Sequence, residues 1–591
     1  GQWFRGPSAD LGTPIDQSLR FRGGQVLART FSGNSNRDQC TFSCWFKRSD
    51  VDGSDTLFGA ATAANTFERV VVNASATISV YAQNGGTDYI NVRTSAVYRD
   101  PSAWYHLVYV KDTTQSTASD RIKLYINGAR ITDFEATTYP GQNTTTGQIN
   151  NNVQHTIGRD PDTGAVFHDG YIAEAYFLDG ICIGETSGVI DEFGRYNEDG
   201  VWVPKAISFT SDQYGNNGFR LTFDSTQDSD KGVAIGIDSA PIGASGHTSA
   251  NNFTESGFNS TAISSSNPAN DVDFFDTPTS NYQTFNPLYP VNSNGPQRFS
   301  DANLGVDISS ASSLGYNRFF FSTLKMPSSG KWYFEHTRPL TVDSAEPALQ
   351  YPFVGFTTLQ DTSAAESSNT WYNNISMAGG SGYGYRYGTT TNAAYGPTQG
   401  SQVWPIGAVI GCSYDADTGD VRFYNQGVDM GLFDTLPSNT DFYLSAIQNY
   451  THGPAKFNFG QMPFVYTPPT GFKALHLNEL EEPTIKDGKK YFGILLYNGN
   501  GSTQSISDTN SVDFTPDLVW VKARTPSGIG HFIADSVRGG NGRLDSSGTT
   551  EERTNEGNIT FQNGGFNVTS THPSVNGNAS SNTYVAWCWK A

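Results

Sequence analysis

Long apolar runs are missing from this 591-residue sequence, and no stretch of about 18 apolar residues offers a membrane-spanning helix. Basic charge is also scarce. Lys plus Arg number 37 against 57 Asp plus Glu, a formal net charge of −20. That balance lacks the cationic footprint demanded by nucleic-acid phosphates or anionic lipid, so neither nucleic-acid binding nor membrane insertion is expected. Charged residues make up only 16 % of the chain, against ~25 % in average globular proteins. The cysteines are few: Cys40, Cys44, Cys182, Cys412 and Cys588. On an extended strand Cys40 and Cys44 would share a face ~13 Å apart, beyond disulfide reach. An odd, scattered set fits reduced thiols in a chain that folds in a cytosol, and none is spaced with partners as zinc requires. The opening Gly1-Gln2-Trp3-Phe4-Arg5 is no basic leader and no apolar segment follows it, so no signal peptide is visible. It also has no initiator Met, so the natural chain is expected to be processed or to extend beyond Gly1.

Catalytic signatures are missing as well. There is no Gly-x-Ser-x-Gly elbow, and Gly330-Lys331, flanked by Pro327-Ser328-Ser329 and Trp332, cannot form a phosphate-cradling loop. The nine histidines (106, 155, 168, 247, 336, 452, 476, 531 and 572) include no pair at ligand spacing with a carboxylate between. His106, next to Trp104 in a strand, reads as a packed or edge histidine.

What the chain has is turn and strand chemistry. It holds 62 Gly, 29 Tyr and 38 Phe, an aromatic share of 13 %, and long stretches of Ser, Thr and Asn. Gly, Asn and Ser supply turns, while Tyr, Phe, Thr and Val favour pleated strands. The expected fold class is all-β, a tandem of antiparallel β-sandwiches with material for several cores.

Four segments emerge. In 1–184, short strands such as Thr41–Lys47, Arg69–Val72, Thr77–Tyr81, Trp104–Val110, Arg121–Ile126 and Tyr171–Phe177 alternate with turns, one of them the hairpin signal Asn127-Gly128. Residues 185–300 form a connector rich in Ser, Asn and Gly, with islands at Asn217–Phe223 and Thr277–Leu288. A connector of that length is functional or draped over its neighbours. Residues 301–477 form a second β unit, with Gly330–Glu335, Ile410–Asp415, Val421–Gly427, Phe442–Ala446 and Lys456–Gln461 as strand cues. Beyond them, 478–591 form a third, built on Tyr491–Tyr497, Phe514–Lys522 and Tyr584–Trp589.

The wording Trp104-Tyr105-His106-Leu107-Val108, Leu124-Tyr125-Ile126-Asn127-Gly128 and Asp169-Gly170-Tyr171-Ile172-Ala173-Glu174 resembles the laminin-G or concanavalin-like jelly roll over about 160 residues. The second β unit resembles a SPRY (B30.2) sandwich over nearly its whole length. With Ile15–Phe21 and Phe42–Arg48 added, the domain order resembles structural proteins of marine cyanophage virions, in which a domain like 478–591 commonly follows SPRY. In those relatives the chain often runs on past this point. The resemblance implies a tail-fibre, neck or capsid appendage assembled in the host cytoplasm and acting outside the cell. Its implied partners are other virion proteins, further copies of itself (a trimer is the expectation) and host-surface polysaccharide or protein. The domain that packs into a particle is expected to show a large apolar patch.

Glycan hydrolases on the concanavalin-like fold need paired carboxylates, there written Glu-x-Asp-x-x-Glu on one strand. No such run occurs; Ile190-Asp191-Glu192-Phe193 and Glu479-Leu480-Glu481-Glu482 fail the spacing. No enzyme is therefore expected, with a secreted lectin or adhesin, or a glycan depolymerase, as the alternatives. Sugars are gripped by aromatic faces flanked by polar groups. Trp371, Tyr372, Asn373, Tyr383, Tyr385 and Tyr387 make the candidate glycan site in the SPRY-like region, with Tyr89 and Trp104 as weaker candidates. No cofactor is expected. A structural calcium could use Asp160, Asp162 and Asp169, while Asp415–Asp420 imitates a calcium loop but has Gln426 at position twelve and reads as a hairpin turn.

Overall fold

A computed structural model describes residues 10–33, 35–145, 147–223, 235–258, 274–289, 297–308, 318–338, 353–358, 375–378, 384–388, 391–395, 405–438, 440–448, 454–480, 485, 487–508, 511–554, 556, 558–577 and 582–591. It is built almost entirely of antiparallel strands and divides into two compact units. One comprises Gly1–Arg195 and Trp202–Glu482, the other Tyr196–Val201 and Pro483–Ala591.

The first sandwich uses β1 (Leu19–Arg22), β2 (Val26–Thr30), β3 (Gln39–Arg48), β4 (Asp55–Ala63), β5 (Thr66–Val72), β6 (Thr77–Asn84) and β7 (Thr87–Val97). It continues with β8 (Tyr105–Asp112), β9 (Ile122–Ile126), β10 (Ala129–Arg130), β11 (Phe134–Thr138), β12 (Gln154–Ile157) and β13 (Asp169–Asp179). The connector adds the short strands β14 (Gly194–Tyr196), β15 (Trp202–Pro204), β16 (Phe219–Leu221) and β17 (Thr254–Ser256). One sheet runs β1-β13-β3-β8-β9-β10 with β16 on β13, and the other runs β11-β7-β6-β5-β4-β12-β2-β17. At the β9–β10 hairpin Asn127 and Gly128 both take positive φ, as a two-residue primed turn requires.

Period-two geometry sends Cys40, Phe42, Cys44 and Phe46 of β3 into the core between the sheets. The intervening residues would face water in a free sandwich. Yet β3 is buried at every position but its first, because the connector and the second sandwich cover its outer side. Phe274 and Phe285 of the connector join Trp45, Trp104 and Tyr171 of the first sandwich in one core with the second.

That second sandwich comprises β18 (Gln297–Ser300), β19 (Gly305–Ile308), β20 (Arg318–Lys325), β21 (Lys331–Thr337), β22 (Phe353–Thr357), β23 (Ile375–Ala378), β24 (Gly384–Gly388) and β25 (Thr391–Tyr395). Completing it are β26 (Val409–Asp415), β27 (Asp420–Asn425), β28 (Val428–Thr435), β29 (Tyr443–Gln448) and β30 (Ala455–Asn458). Its sheets run β18-β19-β30-β21-β26-β27-β28 and β20-β29-β22-β23-β24-β25.

At the seam, Lys47 Nζ spends all three donors: on Asp276 Oδ2 (2.8 Å), Asn281 Oδ1 (2.8 Å) and the Tyr282 carbonyl (3.1 Å). Trp104 Nε1 donates to Asp276 Oδ1 (3.0 Å). Both charges are fully buried. A second clasp is the turn Asp301–Ala302–Asn303, whose residues all hold positive φ (53°, 55° and 62°). Single residues visit this region at a cost; three in succession need outside support. They have it: Tyr171 Oη donates to the Ala302 carbonyl (3.0 Å), Asn303 Nδ2 to the Ser49 carbonyl (3.1 Å), and Lys456 pairs with Asp301 (3.2 Å).

The other unit contains β31 (Phe492–Asn498), β32 (Gln504–Ser507), β33 (Leu518–Thr525), β34 (Phe532–Asp535), β35 (Gly539–Leu544), β36 (Arg553–Thr554), β37 (Ile559–Gln562), β38 (Gly565–Val568) and β39 (Thr583–Trp589). A six-stranded sheet, β31-β39-β33-β34-β35-β36, packs one face with the three-stranded β32-β38-β37 around Leu495, Val519, Val521, Phe566 and Ala586. The other face is apolar too. On β31 Phe492, Ile494 and Leu496 are exposed, and the register sets Phe492 beside Trp589 and Ile494 beside Trp587, which in turn faces Trp520.

Several titratable groups are sealed in. His106, His155 and His336 are fully buried, and burial pulls each imidazole down to about 3. Their unfolded value is about 6.5, so through this window the unfolded chain binds more protons and acid favours unfolding. Asp169 has the opposite sign. Burial first, then Asp55, Asp50 and Asp301, push its carboxyl up to about 8 against the pull of Arg20. The folded chain holds that proton from about pH 4 to 8, and stability falls as pH rises through that range.

Two outcomes follow. Asp276→Ala strands the Lys47 ammonium and is expected to cost about 3–5 kcal/mol; calorimetry should show the sandwich transition falling while that of the unit holding Pro483–Ala591 stays in place. Scanned against pH, the melting temperature should fall as pH drops below about 6.5, where the three buried imidazoles refuse the proton that the unfolded chain takes, and fall again as pH rises towards 8, where Asp169 loses its own. Asp169→Asn should flatten the alkaline limb.

Candidate functional site

A strand that must bury both faces has no natural place for a carboxylate. Strict alternation along Tyr171–Phe177 would drive Glu174 into the inter-sheet core. The chain avoids this with a bulge: β13 slips register against β3 between Ala173 and Tyr176, and Glu174 takes φ 48°. Alternation resumes beyond it, with Ala175 and Phe177 inward and Tyr176 outward. A strained non-glycine residue at a bulge marks a place worth testing for function.

The bulge delivers Glu174 into a cleft of about 190 Å³ on the outer side of the sheet. Trp45, His106, Tyr176 and Phe193 form its buried floor; residues 13–15 and 204–207, with Arg220, form its walls. Arg220 grips Glu174 in two-pronged fashion, Nε to Oε2 at 3.2 Å and NH2 to Oε1 at 3.1 Å, and lies over the Tyr176 ring at 5.5 Å. The Tyr176 hydroxyl also donates to Glu174 Oε2. Burial works against the Arg220 cation, but the Glu174 carboxylate outweighs it and holds the guanidinium above its ordinary value. Lys205 donates to the Asp191 carbonyl (2.9 Å). The cleft therefore sets the paired Glu174 and Arg220, with the Lys205 ammonium, beside aromatic carbon.

His106 takes no proton here. Trp202 Nε1 donates to its Nδ1 (3.1 Å), leaving Nε2 to carry the hydrogen towards Ser43 Oγ (2.8 Å). With burial holding the ring neutral, it is a packed histidine, as its strand position implied.

Tyr89, Trp104, Asp160, Asp162 and Asp169, singled out from sequence, do not line this cleft. Trp371, Tyr372, Asn373 and Tyr383 lie outside the described residues. Tyr385 and Tyr387 are on β24, opposite Ala394 and Asn392 of β25. Tyr89 packs its ring against the first core. Trp104 needs correcting: it is wholly buried at the seam, its indole spent on Asp276, because the outer face of its sheet is covered.

Of the acidic candidates Asp160 and Asp162 are committed, whereas Asp169 bonds through its backbone N–H and its buried Oδ1 has no hydrogen-bond partner among the described residues. Asp160 pairs with Arg69 and accepts from Thr163 Oγ1 (2.8 Å), Asp162 accepts the Asn65 N–H (2.9 Å), and Asp169 opens β13 with its N–H on Asp55 (2.9 Å). Among the described residues no three His, Cys, Asp or Glu side chains converge as a metal site. Asp415–Asp420 is the β26–β27 hairpin turn, closed by Gly419 N–H on the Asp415 carbonyl (2.7 Å). Glu174 was missed, although a lone carboxylate at an inward position of an apolar strand was a readable sign of a bulge.

Comparison with known proteins divides the chain in the same sense. Residues 22–181 match the concanavalin A-like lectin/glucanases superfamily, 331–462 match the SPRY domain, and 487–591 match a domain of unknown function, DUF7483. A curated relative, the ATP-dependent RNA helicase DDX1 of Xenopus laevis, is 29 % identical over 116 residues, covering 19 % of this chain and 14 % of the helicase. The chain thus spans only a small part of that relative.

Solved structures with similar folds include a heptameric SAP-like pentraxin from Limulus polyphemus (17 % identity, TM-score 0.22, 28 % of this chain and 76 % of that one). The SPRY domain of human HERC1 aligns at 15 % identity and TM-score 0.22, covering 30 % of this chain and 99 % of that one. A Ruminococcus gnavus sialidase CBM40 bound to α2,3-sialyllactose gives 14 %, 0.20, 27 % and 89 %. The chain joins a concanavalin A-like domain and a SPRY domain, followed by a DUF7483 domain, in one polypeptide.

Proposed function

We propose that this chain is a structural, non-enzymatic component of a tailed-phage particle that adheres to host-surface glycan through its concanavalin A-like domain. The observation that supports adhesion is the cleft over β13. Glu174 and Arg220 offer acceptors and donors at fixed spacing, which suits the vicinal hydroxyls of a sugar. The apolar walls suit the C–H edges of the ring. Cleavage of a glycosidic bond needs two carboxyl groups about 5–9.5 Å apart, and the cleft is lined by one carboxylate, held by Arg220. Adhesion by many copies on a particle would gain avidity of roughly 10²–10⁴ without tighter single sites. The assignment to a particle rests on the domain order and on Ile15–Phe21 and Phe42–Arg48, which resemble cyanophage virion proteins.

Gold-labelled antibody against the purified protein should decorate intact particles at one defined position. Bare particles, with the protein free in the medium, would favour the secreted lectin instead. Ala206→Trp fills the cleft from an exposed position and leaves Glu174 and Arg220 themselves unchanged. It should weaken binding of the protein to host polysaccharide at least tenfold, about 1.4 kcal/mol, with the melting temperature unchanged.

A further inference from the structure

We propose that Lys47 and Asn281 become joined by an isopeptide bond, formed by the chain itself with Asp276 as the acid–base group. Such a bond needs a lysine amine, a carboxamide within its reach and a carboxyl to move protons, all in one buried place. The seam holds the three together. Lys47 and Asp276 have no exposed side-chain area, and Asn281 is 4 % exposed. Lys47 Nζ lies 2.8 Å from Asn281 Oδ1 and 2.8 Å from Asp276 Oδ2. One C=O bond (~1.2 Å) separates Oδ1 from Cγ, so Cγ is at most ~4 Å from the nitrogen that attacks it. The amide has one consistent orientation. Its Nδ2 donates to the Ser102 carbonyl (2.7 Å), which can only accept, and its Oδ1 meets an ammonium, which can only donate.

Asp276 is held for the proton exchange. Trp104 Nε1 (3.0 Å) and the Tyr282 N–H (3.4 Å) both donate to its Oδ1, leaving Oδ2 on the lysine. The Tyr171 ring lies 5.6 Å from Nζ, and Trp104 and Phe274 belong to the same core. Burial penalises both charges, which brings the neutral amine and neutral acid within reach of the ion pair. Burial indeed lifts the Asp276 carboxyl above its ordinary value, against the pull of Lys47 and of its hydrogen bonds. The other fully buried lysine, Lys111, meets both oxygens of Glu68 (2.8 and 3.0 Å), with no carboxamide bonded to its ammonium among the described residues.

The step balances without a co-reactant. Asp276 takes one proton from the ammonium, and the freed electron pair of Nζ attacks Cγ, sending the C=O electrons onto Oδ1. A second proton passes from Nζ, by way of the Asp276 carboxyl, to Nδ2. The electrons return from Oδ1, the Cγ–Nδ2 bond breaks and ammonia leaves. One proton stays on the new amide nitrogen and one on Asp276. The bond closes a loop between positions 234 apart in the sequence and fastens β3 covalently to the connector, a constraint that survives in the unfolded chain.

Mass spectrometry of the denatured full chain tests this. The expected mass is that of the sequence less one ammonia, ~17 Da. Trypsin should leave Lys47 uncut and release one branched fragment joining residues 38–48 to 232–298. Asn281→Ala should show the full mass of its own sequence and two separate fragments, and so should Asp276→Asn, which keeps the shape of the side chain. A wild-type chain at its full sequence mass overturns the proposal. So does an ammonia loss confined to one fragment, or a cross-link that persists in Asp276→Asn. None of these outcomes bears on glycan adhesion, which is read separately through Ala206→Trp.

Discussion

The fully buried pair of Lys47 and Asp276 is the constraint around which the larger unit is organised. Two charges taken out of water are favourable only when every remaining donor and acceptor is met. Here they are: the ammonium has three oxygen partners, and the carboxylate takes the Trp104 indole as well. Meeting those demands fixes the connector from Phe274 to Tyr282 on the outer face of the first sandwich. Phe285 then enters the core of the second. The segment that composition marks as a linker is thus the element that turns two sandwiches into one body.

Covering that face changes what the other side chains can do. Trp104, on an uncovered sheet, would be an aromatic platform; beneath the connector it is a hydrogen-bond donor at a seam. The cleft at Glu174 lies beside the covered area, where β13 bulges and residues 204–207 come across. Rigidity at the seam and strain at the bulge belong together, since a left-handed Glu174 persists only if its surroundings over-determine it. The bidentate bond from Arg220 and the Tyr176 hydroxyl supply that determination.

Much of this was legible in the sequence. The alternation along Thr41–Lys47 and Trp104–Val110, and the Asn127-Gly128 turn, state strands and a hairpin in local terms, and the structure forms them there. The segments around Phe334, Phe423 and Phe457 likewise announce the second sandwich. What escaped was non-local. Phe274 and Phe285 are isolated aromatics in polar stretches, and their partners lie on other sandwiches. Lys47 reads as the solvated end of a strand until Asp276, more than two hundred residues on, closes over it. The tyrosines of β24 attract notice because aromatic repeats are conspicuous, whereas the cleft is assembled from seven separate segments of the chain.

The account rests on a protein that holds polysaccharide without cutting it. The most direct measurement incubates the full chain with purified host-surface polysaccharide, separates bound from free, and sizes both fractions by chromatography. The account predicts polysaccharide retained on the protein with its length distribution unchanged after prolonged incubation. Progressive shortening, or the absence of any retained polysaccharide, would contradict it.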